Sequence, residues 1–277
     1  MAYKDILVYV DAAPTAAARL DAAAQLAKRQ GAHLVALHVQ APPFTPVDLL
    51  GTGVTADLIE WQIQQAQAQA EAAHKAVQAA EQRHGLSIEW RKVDGAIDAT
   101  VVEQSRYADL IVLPPNTPLT DLTTPASAGA GSVVMAAGRP ALIVPNNYAN
   151  AAIGQRVLVA WKPSAEAARA VHDALPLLQR AEAVTVIRVN PDPEEPKHNP
   201  GFDLATHLAR HGVKVTVTPV LAPDTTAGDV IVEQARTLRA DLIVMGAYGH
   251  SRLRELVFGG ATRSLLQAPP VPVLMSR

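Results

Sequence analysis

Cysteine is absent from the 277-residue chain. Its absence excludes disulfide bonds, thiolate catalysis and metal sites with cysteine ligands. An excess of charge of either sign is also missing, because 24 Lys and Arg residues are balanced by 26 Asp and Glu residues, for a formal net charge of −2. Such a balance gives no general attraction to nucleic acid or to an anionic membrane surface, so we expect neither as a partner.

Long hydrophobic runs are missing too. No apolar segment approaches the length of about 20 residues that a membrane-spanning helix needs. The apolar run at residues 6–10 is too short for a secretory signal and is flanked by Asp5 and Asp11. With 49% hydrophobic and 18% charged residues, the composition is that of a globular protein. We therefore expect a soluble cytoplasmic protein.

The two halves of the chain repeat each other. Residues 108–112 and 240–244 both read Ala-Asp-Leu-Ile-Val, 132 positions apart. The same offset aligns Pro-Ala-Leu at 140–142 with Pro-Val-Leu at 272–274 without a gap. This is an internal duplication. A polar segment with a turn signal separates the copies, and we predict one domain at residues 1–147 and a second at residues 153–277.

Each half alternates apolar strands with helices in the same order. The predicted strands lie at residues 5–10, 33–39, 86–93, 110–113 and 141–144 of the first half, and at 156–161, 183–189, 213–220, 242–245 and 271–275 of the second. This alternation predicts an α/β fold with a parallel sheet covered by helices on both faces. Such sheets bind ligands at the carboxyl ends of their strands, where the strand order reverses.

The longest predicted helix covers residues 56–84 and carries an apolar seam. Its seam consists of Ile59, Ile63, Ala66, Ala70, Ala73, Val77 and Ala80. We interpret this seam as a core face. Gly85 is predicted to end this helix, as Gly31 is predicted to end the first one, because glycine tolerates the left-handed conformation of a helix C-cap.

A glycine-rich segment follows the predicted strand at residues 242–245. Gly246, Gly249 and Gly259 are separated by two and by nine residues, and a short helix is predicted at 261–267. Glycines allow a backbone to approach a ligand closely, and free amides at a helix start attract anions. The segment is not a Walker loop, because no Gly-Lys-Ser/Thr follows. Its glycines lie too far apart for a dinucleotide fingerprint.

This spacing, with Met245 before the first glycine and Pro-Val-Pro-Val-Leu at 270–274 after the helix, resembles the nucleotide-binding loop of the universal stress protein family. The resemblance covers both halves and implies a tandem member. It implies two flavodoxin-like (adenine nucleotide alpha hydrolase-like) domains, each with a five-stranded parallel sheet. The domains would pair through their last strands, at 141–144 and 273–275, as an intrachain pseudo-dimer. A homodimer of whole chains is left open.

The resemblance also implies that the second half binds ATP or another adenine nucleotide in a stress-response role, with Mg²⁺ only where ATP is bound. Base and ribose would lie on the loops after the first and second strands, and the glycine loop would hold the phosphates, with a hydroxyl from Thr262. The residues that the family pattern assigns to this site are Met245, Gly246, Gly249, Gly259, Gly260, Ala261, Thr262, Val189 and Lys162.

The chain departs from the family pattern in both halves. In the second half, Gly260 replaces a Ser or Thr, and Lys162 replaces an aspartate. Lysine cannot accept hydrogen bonds from ribose hydroxyls, but it can meet a phosphate. The first half keeps the aspartate, Asp11, and loses the glycines, which become Pro114, Thr117 and Ser127. We therefore interpret the first half as a degenerate, structural copy.

Other functions stay open. The substitutions at residues 114, 162 and 260 equally suit a protein-interaction module that has lost its ligand. An enzyme is the weaker alternative, at most a slow ATPase, because no acid–base pair is placed by spacing and no catalytic residue can be named. For metals, His207 and His211 lie four residues apart on a predicted helix, and His198 lies beside Glu194 and Glu195. Without a third placed ligand we interpret them as surface histidines.

Overall fold

The computed structural model describes residues 2–43, 56–116, 128–149, 152–191, 200–249 and 260–277. The elements of the first half are β1 (Asp5–Tyr9), α1 (Ala16–Gln30), β2 (His33–Gln40), α2 (Ala56–His84), β3 (Glu89–Asp94), α3 (Ile97–Ser105), β4 (Leu110–Leu113), α4 (Ala130–Ala136) and β5 (Ala141–Ile143). Those of the second half are β6 (Arg156–Ala160), α5 (Ala165–Leu178), β7 (Ala183–Val189), α6 (Pro200–Arg210), β8 (Val215–Val220), α7 (Ala227–Thr237), β9 (Leu242–Gly246), α8 (Gly260–Gln267) and β10 (Val273–Ser276).

All ten strands form one sheet, in the order β3-β2-β1-β4-β5-β10-β9-β6-β7-β8. The strands are parallel within each half, which confirms the predicted α/β class. The halves join through β5 and β10, which pair antiparallel with Leu142 opposite Leu274. This confirms the predicted pairing of the last strands. Each of these strands covers the edge that the other would otherwise expose.

The core consists of two helix layers on the two faces of the sheet. Residues of α1, α2, α5 and α6 pack on one face, and residues of α3, α4, α7 and α8 pack on the other. Neighbouring strand residues alternate between the layers, as Leu142 and Ile143 do. Because both faces are covered, the inner strands are apolar at nearly every position. Within the described residues, no helix is both long and apolar enough to cross a membrane.

The predicted helix ends agree with the structure, whereas the predicted apolar seam of α2 agrees with it only in part. Gly31 and Gly85 have φ values of 63° and 60°, so the predicted glycine ends of α1 and α2 are confirmed. Ile63, however, is 40% exposed, and for this residue the predicted core seam is wrong. With 29 residues, α2 is about 44 Å long, whereas the eight-residue β2 spans about 26 Å. The seam is buried only at its C-terminal end, at Ala70, Ala73, Val77 and Ala80.

The repeated Ala-Asp-Leu-Ile-Val segments have a structural explanation. Asp109 accepts hydrogen bonds from the backbone N–H groups of Lys4 and Asp5, at 2.7 and 3.1 Å. Asp241 does the same for the start of β6. Its carboxylate accepts from the N–H groups of Gly154, Gln155 and Arg156, at 2.8, 3.0 and 3.1 Å. Each aspartate thus joins the entry of the first strand of its half to the fourth strand. Burial raises the pKa of Asp241, and these backbone hydrogen bonds oppose the shift.

We expect Asp241→Ala to destabilise the protein more than Asp109→Ala. Asp241 serves three N–H groups, of which that of Gly154 belongs to a buried residue, and unsatisfied buried donors cost about 1–3 kcal/mol. The partners of Asp109 are exposed, so water replaces the carboxylate and the loss should be about 0.5–1 kcal/mol. Urea unfolding of both variants measures the difference, and equal losses would contradict this account.

Candidate functional site

The predicted binding residues after β6, β7 and β9 lie at one edge of the sheet. β6 and β9 are parallel neighbours with Ala160 opposite Met245, and β7 lies on the other side of β6. Lys162 therefore follows β6 beside the end of β9 at Gly246, and Val189 ends β7 on the other side. This is the point at which the strand order of the second half reverses, where open α/β sheets bind their ligands.

The first glycine of the loop is in contact with protein backbone. A Cβ on Gly246 would lie 2.5 Å from the Ala167 nitrogen and 2.8 Å from the Glu166 carbonyl carbon. The first turn of α5 thus packs directly on the end of β9. Ser164 caps this turn by accepting a hydrogen bond from the Ala167 N–H at 3.2 Å. Close packing of α5 is a sufficient reason for glycine at position 246.

The second glycine lies beside a carboxylate that the sequence did not reveal. A Cβ on Gly249 would be 3.3 Å from Glu166 Oε2 and 3.5 Å from Ser164 Oγ. Gly249 itself is exposed. Glu166 belongs to the first turn of α5, where the helix dipole stabilises a negative charge. The edge therefore carries a hydrogen-bond acceptor in addition to the exposed Lys162.

The helix after the loop, α8, begins at Gly260. It connects β9 to its parallel neighbour β10, so its first residues lie on the carboxyl side of β9. A Cβ on Gly260 would meet no atom of the described residues within 4 Å. Ala261 is half-buried and Thr262 is buried, with 6% of its surface exposed. Gly259 lies outside the described residues.

In the first half, protein side chains fill the corresponding site. Gly129, just before α4, donates its N–H to Asp98 Oδ1 at 2.8 Å, and Gly131 donates to Asn116 Oδ1 at 3.1 Å. A carboxylate of the chain therefore lies at the start of α4, where a helix attracts an anion. The retained Asp11 is bound as well.

Arg19 binds Asp11 from within the core. Its Nη2 lies 3.0 Å from Asp11 Oδ1, and its Nε donates to the Tyr9 carbonyl at 2.8 Å. Only 2% of Arg19 is exposed. A buried guanidinium is costly unless it is paired, so this contact is a fixed part of the core. The carboxylate that the family pattern assigns to a nucleotide is committed to a protein group here.

At the position of the Asp98 carboxylate the second half has a glycine. Residues 102–106 of α3 align with residues 232–236 of α7 at an offset of 130, which places Asp98 opposite Gly228. A Cβ on Gly228 would lie 3.2 Å from the Ala261 Cα, so α7 approaches α8 closely with no side chain between them. The alignment of the halves contained this signal, although sequence reasoning did not use it.

The two halves also meet close to the glycine loop. A Cβ on Gly131 of α4 would lie 2.7 Å from the Tyr248 hydroxyl, and Asn116 donates its backbone N–H to the Leu266 carbonyl at 2.7 Å. Asn116 and Tyr248 are 132 positions apart and are thus equivalent in the duplication. Tyr248 has a φ of 60°, and burial raises the pKa of its hydroxyl. The first half therefore supports the backbone between the first two glycines of the second.

The histidines contribute no metal site within the described parts of the chain, where no group of three His, Cys, Asp or Glu side chains could hold an ion. His207 and His211 pack edge to face, with ring centroids 4.7 Å apart. The patch of His198, Glu194 and Glu195 lies outside the described residues.

At the end of β6, the indole Nε1 of Trp161 is buried and has no hydrogen-bond partner among the described residues.

A sequence model of the universal stress protein family matches residues 2–116 and 154–277. The chain belongs to the universal stress protein family and contains its domain twice. The boundaries at residues 147 and 153 stay a prediction. Universal stress protein Slr1230 from Synechocystis is 34% identical over 94 residues, which are 34% of this chain and 31% of that protein. The match thus spans less than a third of the relative.

Solved structures of other proteins match almost the whole chain, among them one from Archaeoglobus fulgidus and one from Pseudomonas aeruginosa. A universal stress protein from Archaeoglobus fulgidus superimposes with a TM-score of 0.72 at 18% identity, over 99% of this chain and 96% of that one. A functionally unknown protein from Pseudomonas aeruginosa gives a TM-score of 0.57 at 17% identity, over 99% and 92%. At these identities the similarity shows the fold alone, and it confirms the tandem arrangement.

We expect Gly246→Ala to lower the free energy of unfolding by about 1–3 kcal/mol, because overpacking against backbone can be relieved only by moving α5 or β9. Gly260→Ala is the matched control. Its Cβ has open space among the described residues, and Ala is favoured over Gly in a helix by about 0.5–1 kcal/mol. Chemical unfolding of both proteins measures the contrast. Similar losses in the two variants would show that the close approach of α5 is not what requires Gly246.

Proposed function

We propose that the second half binds an adenine nucleotide, with ATP as the first candidate, at the carboxyl ends of β6, β7 and β9, in a stress-response sensing or regulatory role. The observation that carries this proposal is the contrast between the two halves. Asp98 occupies the start of α4 in the first half, and Gly228 stands at its position in the second. The start of α8 therefore lacks the chain's own anion among the described residues, and a phosphate is the ligand that such a helix start attracts.

The edge offers groups for each part of a nucleotide. Gly249, Gly260 and Ala261 would supply backbone amides to phosphates, as the family pattern implies for the whole loop. Lys162 is exposed at the end of β6 and provides a positive charge for a phosphate. It cannot accept hydrogen bonds from the ribose hydroxyls, but the carboxylate of Glu166 can. In this proposal Glu166 replaces the missing aspartate from the neighbouring helix α5.

In this proposal the base lies on the loop after β7, which two hydrogen bonds fix in place. Asn190 follows Val189 with a φ of 46°. Its side chain donates to the Ala222 carbonyl at 3.0 Å and accepts from the Ala222 N–H at 2.7 Å. These two bonds fix the backbone at the end of β7 against the loop after β8. Fixed backbone groups bind a base edge without a loss of conformational entropy on binding. Mg²⁺ is expected only together with ATP.

A ligand-free interaction module is the second candidate function. Gly246 is covered by α5, and Glu166 lies beside the second glycine, where its charge would repel a phosphate. On this account the glycine spacing is kept for packing rather than for binding. The cytoplasmic location and the identity of any protein partner stay predictions under both candidates.

Isothermal titration of the full chain with ATP, ADP and cyclic AMP distinguishes the two candidates. We expect heat with at least one of them, and its loss in Gly249→Leu, because a side chain at this position would project toward Glu166 and Ser164. Ala79→Leu, on the exposed side of α2, adds the same bulk elsewhere and should bind normally. Absence of heat from all three nucleotides up to millimolar concentration would refute nucleotide binding. Undiminished heat in Gly249→Leu would refute this site.

A gain of affinity is expected from Gly260→Ser. The variant restores the hydroxyl of the family pattern, and the space around position 260 accommodates it. A hydrogen bond to a charged group contributes about 1.5–3 kcal/mol, so the Kd should fall about tenfold or more. Gly260→Ala is the control, because it adds the Cβ without the hydroxyl. Equal affinities of the Ser and Ala variants would show that no phosphate reaches the start of α8.

A further inference from the structure

A second pocket lies where the C-terminal ends of α1 and α5 meet. Its volume is about 190 Å³, and it is lined by Arg29 and Gln30 of the first half, by Arg180 and Leu177 of the second, and by the segment 153–155 that leads into β6. None of these residues belongs to the nucleotide site proposed above. The pocket is therefore a separate feature of the contact between the halves.

Two guanidinium groups converge on this pocket. Arg29 Nη2 donates to the Ile153 carbonyl, and Arg180 Nη1 donates to the carbonyl of Arg29 itself. Both side chains stay partly exposed, so a small solute can reach them. A guanidinium carries five N–H donors, and one hydrogen bond to a carbonyl leaves most of them available. Among the described residues, neither arginine forms an ion pair with a carboxylate.

The duplication brings these like charges together. Residues 6–8 align with residues 157–159 at an offset of 151, and the same offset relates Arg29 to Arg180. The two arginines are thus equivalent residues that meet near the pseudo-two-fold axis. Burial is the largest influence on the pKa of Arg29 and lowers it; Tyr148 and Asp241 raise this pKa, and the charge of Arg180, the smallest influence, lowers it. The nearby carboxylate of Asp241, which also accepts three backbone N–H groups, opposes this positive charge. Two guanidiniums against one carboxylate leave a net positive charge at the pocket.

One buried acceptor also lacks a partner here. Gln30 is 6% exposed. Its Nε2 donates over a long 3.4 Å to the Pro176 carbonyl, and its Oε1 is buried with no hydrogen-bond partner among the described residues. Buried polar atoms are almost always satisfied, so such an atom indicates a missing donor. A ligand that suits the pocket therefore combines negative oxygens for the guanidiniums with one hydroxyl for Gln30.

We propose that this pocket binds inorganic phosphate, with its charged oxygens on Arg29 and Arg180. The buried Gln30 side chain would rotate toward the pocket, so that its Oε1 accepts the remaining hydroxyl of the phosphate. Near neutral pH hydrogen phosphate carries both kinds of group, whereas sulfate carries the charge and size without the hydroxyl. Guanidinium forks match tetrahedral oxyanions well. Because the ligand would contact both halves, its binding adds to the stability of the joined fold.

Thermal unfolding in sodium phosphate, sodium sulfate and sodium chloride at equal ionic strength and pH tests the proposal. We expect phosphate to raise Tm more than sulfate does, with a dependence on concentration that saturates. Arg180→Met should lose this phosphate-specific increase. Arg169→Met is the matched control, because Arg169 lies on α5, the helix that ends just before Arg180, and also donates to a backbone carbonyl, that of Arg277. This variant should keep the full response.

Two further variants locate the ligand. Gln30→Met should abolish the preference for phosphate over sulfate, since neither anion then finds a hydroxyl acceptor. Gly249→Leu should keep the phosphate response, because it alters only the glycine loop. If the response disappears in Gly249→Leu, phosphate binds at the loop and the pocket proposal is wrong. It is equally wrong if wild type, Arg180→Met and Arg169→Met respond alike. Neither result depends on whether a nucleotide binds.

Discussion

The antiparallel pairing of β5 with β10 is the contact on which the rest of the structure depends. Three buried residue pairs centred on Leu142 and Leu274 turn two five-stranded sheets into one. Without this contact each half would expose a strand edge and part of both helix layers. The pairing also places α4 and α8 next to each other, so that Asn116 and Tyr248 reach across to the opposite half. A shared core thereby couples the stability of the two copies.

Because of this coupling, each copy contributes to the structure of the other. At the corresponding site of the first half, Arg19 binds Asp11 and Asp98 accepts the N–H of Gly129. At these two positions, contacts within the protein take the place of contacts with a ligand. The second half has Gly228 where the first has Asp98, and its helix start remains without an internal carboxylate in the described part of the chain. The first half contacts the second beside the glycine loop, where Gly131 lies against Tyr248.

Much of the fold could be predicted because it depends on local patterns. The succession of strands and helices follows from periodicity and from the duplication, and the glycine ends of α1 and α2 follow from the preference of helix C-caps for glycine. The pairing of the last strands is implied by the resemblance to the universal stress protein family. The exposure of Ile63 could not be predicted, because periodicity defines an apolar seam but not where the neighbouring layer ends. The positions of Glu166 and Asp98 depend on how α5 and α3 pack on their sheets. The sequence contained one indication of this packing, namely the difference between the equivalent positions Asp98 and Gly228.

Duplication has a further consequence near the axis that relates the halves, where a residue meets its own copy. For an apolar residue this is favourable, as for Leu142 and Leu274. For a cation it places like charges side by side, as for Arg29 and Arg180. The symmetry is broken one residue further on, because the offset of 151 places Gln30 opposite Ala181. A pocket with two equivalent charges and a single acceptor can hold an oxyanion in one orientation only, and this asymmetry is what favours phosphate over a fully deprotonated anion.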